Sequence, residues 1–197
     1  LVSDPFDINL IQNSSFYGLV RIGPLREGLL HYHDLAIPAG IYHSTIVASD
    51  IGENCSVRYV GYLSHYIVGK EVILSRIDEM QCSNHAKFGN GIITPGEKEE
   101  VRVSIDVINE NGGRAILPFE DMITADAYLW ACWRDDSFLV QRLAEITQKQ
   151  YGTERGRYGY VGNQTVIKSS NIIKDCRIGE SAYIKGANKL KNLTILS

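Results

Sequence analysis

The sequence predicts a mainly β fold in which short extended segments wind as a three-sided coil, with a helical hairpin set into it. Three observations predict this. First, apolar anchors recur at Val161, Ile167, Ile173, Ile178, Ile184, Leu190 and Ile195, in steps of 6, 6, 5, 6, 6 and 5. An earlier stretch, Ile51, Val57, Leu63, Val68, Leu74 and Met80, steps by 6, 6, 5, 6 and 6. A helical face needs steps of three and four, so neither stretch is a helix. A period of 17 in three segments describes a chain that returns to the same place each turn. Second, a glycine follows the leading anchor in Ile51-Gly52, Val68-Gly69, Val161-Gly162 and Ile178-Gly179. Third, a small or β-branched residue stands four places after each leading anchor: Cys55, Val72, Thr165 and Ala182.

Offsets of 0, 4 and 6 are even, so these residues share one side of an extended segment and can face a core. The glycines, with Asn54 and Asn163 beside them, suit corners that need positive φ. Stacked coils would pair their backbones and bury each apolar side against the next.

Ile-Gly-Glu-Asn-Cys-Ser from Ile51 and Ile-Gly-Glu-Ser-Ala-Tyr from Ile178 resemble the hexapeptide repeat of left-handed parallel β-helix proteins, which are three-sided prisms. The handedness comes from this resemblance, since crossover connections in sheets are ordinarily right-handed. Members of that class include acyltransferases, the tails of sugar-1-phosphate nucleotidyltransferases and γ-class carbonic anhydrases. Asn109 to Arg114, the Ile116-Leu117-Pro118-Phe119 run, the helical stretch after it and the return to Gly162 resemble an uncharacterised family of long bacterial β-helix proteins, labelled a domain of unknown function.

Residues 1–197 read as one β-helix domain of a longer chain, with the clearest coils at 41–94 and 161–197 and a helical insertion at 118–151. The leading anchors Val68 and Val161 lie 93 residues apart, which is not a multiple of 17, so an excursion separates the two blocks. Phe16 to Ile22 reads as a strand. Val101, Val103, Ile105 and Val107 alternate with polar residues and read as a half-buried strand. Met122, Leu129, Trp130 and Trp133 fit helical spacing, as do Phe138, Leu139, Leu143 and Ile146. Asp135, Asp136 and Ser137 offer N-caps for the second helix.

Apolar content of 44% and charged content of 22% fit an ordinary globular chain, and a net charge of −3 argues against a nucleic-acid surface. No apolar run of about 18 residues proposes a membrane span. The cysteines Cys55, Cys82, Cys132 and Cys176 contain no Cys-x-x-Cys pair and read as free thiols of a cytoplasmic protein.

The resemblance implies a transferase acting on a nucleotide sugar or an acyl carrier, with no cofactor, assembled as a homotrimer. His85 is the candidate general base, and Asn84 beside it in the same loop is a candidate substrate-binding residue. Asn109 to Arg114 is the best local motif. Gly112 and Gly113 can bring backbone N–H groups to a phosphate or carboxylate, Arg114 can pair with it, and Glu110 is a candidate acid or base. Two rival classes stand beside this reading. One is a non-catalytic scaffold or assembly module. The other is a γ-carbonic-anhydrase-like metal site, but His43, His65 and His85 are separated by 22 and 20 residues and miss the repeat, so no metal ligand is assigned.

Overall fold

A computed structural model describes residues 1–91, 96–98, 100–107, 112–153, 156 and 158–196. The chain forms two compact units, Leu1–Gly89 with Gly156–Ser197, and Asn90–Arg155.

In the first unit a short 3-10 turn, Ile8–Leu10, leads into β1 (Ile11–Gln12), β2 (Ser15–Tyr17) and β3 (Arg21–Ile22). Thus the strand expected over Phe16 to Ile22 is divided. A hairpin follows, β4 (Leu29–Tyr32) and β5 (Leu35–Pro38). Next come β6 (Gly40–Tyr42), β7 (Thr45–Val47), β8 (Asp50–Ile51), β9 (Ser56–Ser64), β10 (Tyr66–Val68) and β11 (Ile73–Gln81).

The second unit holds β12 (Ile105–Asp106), β13 (Ala115–Ile116), α1 (Thr124–Cys132) and α2 (Ser137–Gln150). The first unit then resumes with β14 (Gly159–Val161), β15 (Val166–Ile178), β16 (Tyr183–Lys185) and β17 (Lys189–Ile195).

The period of 17 is the register of parallel pairing. Leu74 lies opposite Val57, and Ile167 opposite Ile184. The excursion between the blocks leaves the pairing intact: Leu74 also lies opposite Ile167, 93 residues on. Val57, Leu63, Leu74, Met80, Ile167 and Ile173 are each 0% exposed, so the anchors face a shared interior.

The three-sided left-handed prism expected from the repeat is corrected by the topology. Among the described residues the main sheet has 13 strands, with a path of nine, β1-β6-β9-β11-β15-β14-β10-β8-β3. Its two ends do not pair, so it is an open parallel half-barrel. The physical reason is strand length. β9 and β11 run nine residues and β15 runs 13, so hydrogen bonding continues past the points where corners were expected. Curvature enters inside the strands. Tyr59, Arg76 and Ser169 stand level with one another at φ of 54°, 54° and 52°, and this left-handed step bends each long strand at the same place. Within the expected coils 41–94 and 161–197, residues 92–94 and Ser197 lie outside the described residues.

The glycines act differently from expectation. Gly52, Gly69 and Gly162 are not in the left-handed region. A Cβ at Gly52 would lie 2.3 Å from the carbonyl oxygen of Gly69, and one at Gly162 would lie 2.4 Å from the amide nitrogen of Glu180. They allow close backbone approach, while Asn54 and Gln164 take the positive φ, at 47° and 57°. The small slot is also polar in use: the Cys55 thiol donates to the Gly69 carbonyl at 3.0 Å, and the Thr165 hydroxyl to the Gly179 carbonyl at 2.7 Å.

In the second unit β12 and β13 pair antiparallel, Ile105 opposite Ile116. The half-buried strand expected over Val101 to Val107 is reduced to Ile105–Asp106, and all four of its apolar residues are exposed. An Asp136 carboxylate oxygen accepts from the Leu139 amide at 3.0 Å and caps α2. Trp130 is buried, but Trp133 and Phe138 are exposed, so the predicted apolar stripe is only partly covered. Arg102 binds this unit through the carbonyl of Pro118 at 3.1 Å, the side chains of Asn90 and Gln148 at 3.3 Å, and the carbonyl of Tyr151. Burial lowers its pKa.

Candidate functional site

His85 is exposed in the loop after β11. Its backbone amide donates to the Ser83 hydroxyl at 3.3 Å, and the amide of Ser83 donates to the Asp175 carboxylate at 2.6 Å. The imidazole has no hydrogen-bond partner among the described residues. Asn84 is likewise exposed.

Glu110, with Asn109 and Asn111, lies outside the described residues. Gly112 and Gly113 are exposed at φ of 63° and 72°, as a turn requires. Arg114 is half-buried, and its carbonyl accepts from the Val107 amide at 3.3 Å. His85 and Asn84 belong to the first unit, and Gly112 to Arg114 belong to the second. Among the described residues no hydrogen bond or ion pair joins any two of these candidates.

Of the remaining histidines, His33, His43 and His65 have aromatic neighbours, and His31 lines a polar groove. His43 stacks on Tyr59 with ring centres 5.0 Å apart, His33 meets Tyr32 edge-on at 4.5 Å, and His65 approaches Tyr158 at 5.7 Å while sharing a 2.7 Å hydrogen bond with the Ser64 hydroxyl. Among the described residues no three His, Cys, Asp or Glu side chains gather as a metal site.

Two grooves of the first unit lie elsewhere: an apolar one of about 520 Å³ near the start of the chain, lined by Leu1, Phe6, Ile8, Phe16 and Leu19, and a polar one of about 430 Å³. One wall of the polar groove is the β4 segment from Leu29 to Tyr32, and the other carries Glu71, Gln164 and Ser181 above Ile73 and Val166. Each of the three polar residues has positive φ, at 55°, 57° and 54°. Each sits two places before a paired position, because Ile73, Val166 and Tyr183 are opposite one another. Parallel pairing therefore stacks their backbones at about 4.8 Å intervals. The Gln164 amide nitrogen donates to the Glu71 carboxylate at 2.9 Å. Tyr32 stacks on Tyr183 at 4.8 Å, and the Lys168 ammonium lies 5.4 Å from the Tyr183 ring centre. The repeat gave no warning of this groove, because the hairpin stands outside it. The one local signal is two apolar runs separated by His33 and Asp34, with His33 at φ of 48°.

Strongly perturbed groups are interior. Burial pushes the thiols of Cys55 and Cys82 up to about 12 and that of Cys176 up to about 11. Burial likewise raises Tyr66, whose hydroxyl donates to the Cys176 carbonyl and accepts from the Cys176 amide, both at 3.2 Å. All four cysteines are free, and Cys132 is exposed.

An aromatic disulfide reagent at about pH 8 is expected to label Cys132 alone in the native protein and all four thiols in denaturant, read by absorbance. Native labelling of a second thiol would contradict the burial. The raised thiols also make stability pH-dependent. The folded state keeps protons that the unfolded chain releases above about 8.5, so this contribution is full below that pH and falls as pH rises towards 12.

Among the described residues no helix is long and apolar enough to cross a membrane. A domain of unknown function (DUF4954) matches residues 1–197. An uncharacterized protein of Treponema pallidum (strain Nichols) is 59% identical over 197 residues, which is 100% of this chain and 27% of that protein. The chain thus spans about a quarter of the length of the curated relative it matches. No solved structure matches it significantly. A match over the whole chain, with a bacterial relative identical at more than half of its positions, shows that the chain belongs to the DUF4954 family.

Proposed function

We propose that this chain is a non-catalytic β scaffold serving a longer protein. The observation that carries the reading is the continuous apolar interior. From Ile41 through Val57, Leu74 and Ile167 to Ile184, level after level is filled by aliphatic side chains in register. Such an interior makes a rigid support. A transferase needs a base held against its acceptor by an orienting partner, and His85 is exposed with none among the described residues. The free thiols support a reducing, cytoplasmic setting.

The test is turnover. The full chain is incubated with UDP-N-acetylglucosamine or acetyl-CoA and amine or hydroxyl acceptors, and release of UDP or CoA is followed. Release no faster than the protein-free blank is expected. Release that is lost in His85→Ala would overturn the scaffold reading.

A further inference from the structure

We infer that the groove between β4 and the Glu71–Gln164–Ser181 ladder is a binding site for a short neutral oligosaccharide. Its volume of about 430 Å³ falls in the range of roughly 300–1,000 Å³ typical of small-molecule sites.

The ladder presents three kinds of hydrogen-bonding group at successive levels. Glu71 accepts, Ser181 both donates and accepts, and Gln164 offers an amide oxygen and nitrogen. The Gln164–Glu71 hydrogen bond holds two of these side chains before any ligand arrives, which lowers the entropy cost of binding. Ile73 and Val166 lie at its base but are each only 2% exposed, so the apolar surface open to the C–H face of a pyranose ring is Leu29, 58% exposed on the β4 wall. A sugar is the common small molecule with hydroxyls around its rim and an apolar face.

Charge narrows the ligand class. Among the described residues the Glu71 carboxylate is bonded to an amide rather than a cation, so it disfavours a phosphate or carboxylate in the groove. The Tyr32–Tyr183 stack pins the hairpin wall to the sheet. Tyr183 is therefore a positioning residue.

Titration by calorimetry with maltotriose, cellotriose and triacetylchitotriose tests the inference. At least one is expected to bind with a Kd of about 1 mM or tighter. Gln164→Asn keeps a residue that tolerates positive φ but draws the amide back by one methylene, and should weaken that binding about tenfold without changing Tm. Tyr32→Ala should weaken it further, and His85→Ala should leave it unchanged. Failure of all three sugars to bind would overturn the inference, and so would binding that Gln164→Asn leaves unaltered. The result is separate from the turnover assay, since a scaffold and an enzyme can equally bind a glycan.

Discussion

Gly162→Ala is expected to destabilise the protein by more than about 3 kcal/mol. The new methyl would meet the Glu180 nitrogen at 2.4 Å, the Gly179 carbonyl carbon at 2.5 Å and the Glu180 Cα at 2.6 Å. All three are backbone atoms of the next level, and none can swing aside as a side chain can. Relief would require the two levels to separate, which lengthens the hydrogen bonds that join them. The Gly162 amide donates to the Ile178 carbonyl at 2.8 Å and is the first to suffer. Gly28→Ala is the control. A Cβ there meets nothing within 4 Å, and the residue is not in the left-handed region, so its effect should stay within about 0.5 kcal/mol. Urea unfolding of the two variants measures the contrast. Equal midpoints would show that the levels are not packed this closely.

Ile173→Ala is expected to cost about 2–5 kcal/mol. Ile173 is 0% exposed and lies between Met80 on one neighbouring strand and Leu190 on another. Truncation removes transfer energy and leaves a cavity that two fixed backbones cannot close. Val101, exposed at 44%, should lose less than about 0.5 kcal/mol on the same change. Thermal unfolding reads both, and a small effect at Ile173 would contradict a close-packed interior.

The residues differ in how much of this they disclosed beforehand. The spacing of Val57, Leu74, Ile167 and Ile184 stated which side chains lie inside and which lie level, because parallel pairing repeats the same apolar position once per turn. Spacing does not state where hydrogen bonding stops. An anchor pattern is the same whether strands end at corners or continue as nine to 13 residues bent by one or two left-handed steps, and so the prism was expected where a half-barrel stands. Asp136 marked the start of α2 because a capping carboxylate is a local signal. Val101, Val103 and Val107 misled because alternation reports a periodic pattern without saying whether anything covers it.

The candidate site was the least legible. His85 was singled out for its chemistry, yet chemistry alone carries no information about neighbours. Glu71, Gln164 and Ser181 each stand three places after a leading anchor, so the repeat aligns them, but the wall opposite, Leu29 to Tyr32, lies outside the repeat and carries no such signal.

The β11–β15 pairing joins the two blocks of the repeat into one interior. Backbone NOEs in the full chain, recorded between the strands around Leu74 and those around Ile167, test it directly. Contacts joining Ile73 with Val166, Leu74 with Ile167 and Met80 with Ile173 are expected together in one parallel register. Their absence, or a register shifted by a single residue that turns Ile167 and Ile173 outward, would contradict the shared interior on which the fold and its groove depend.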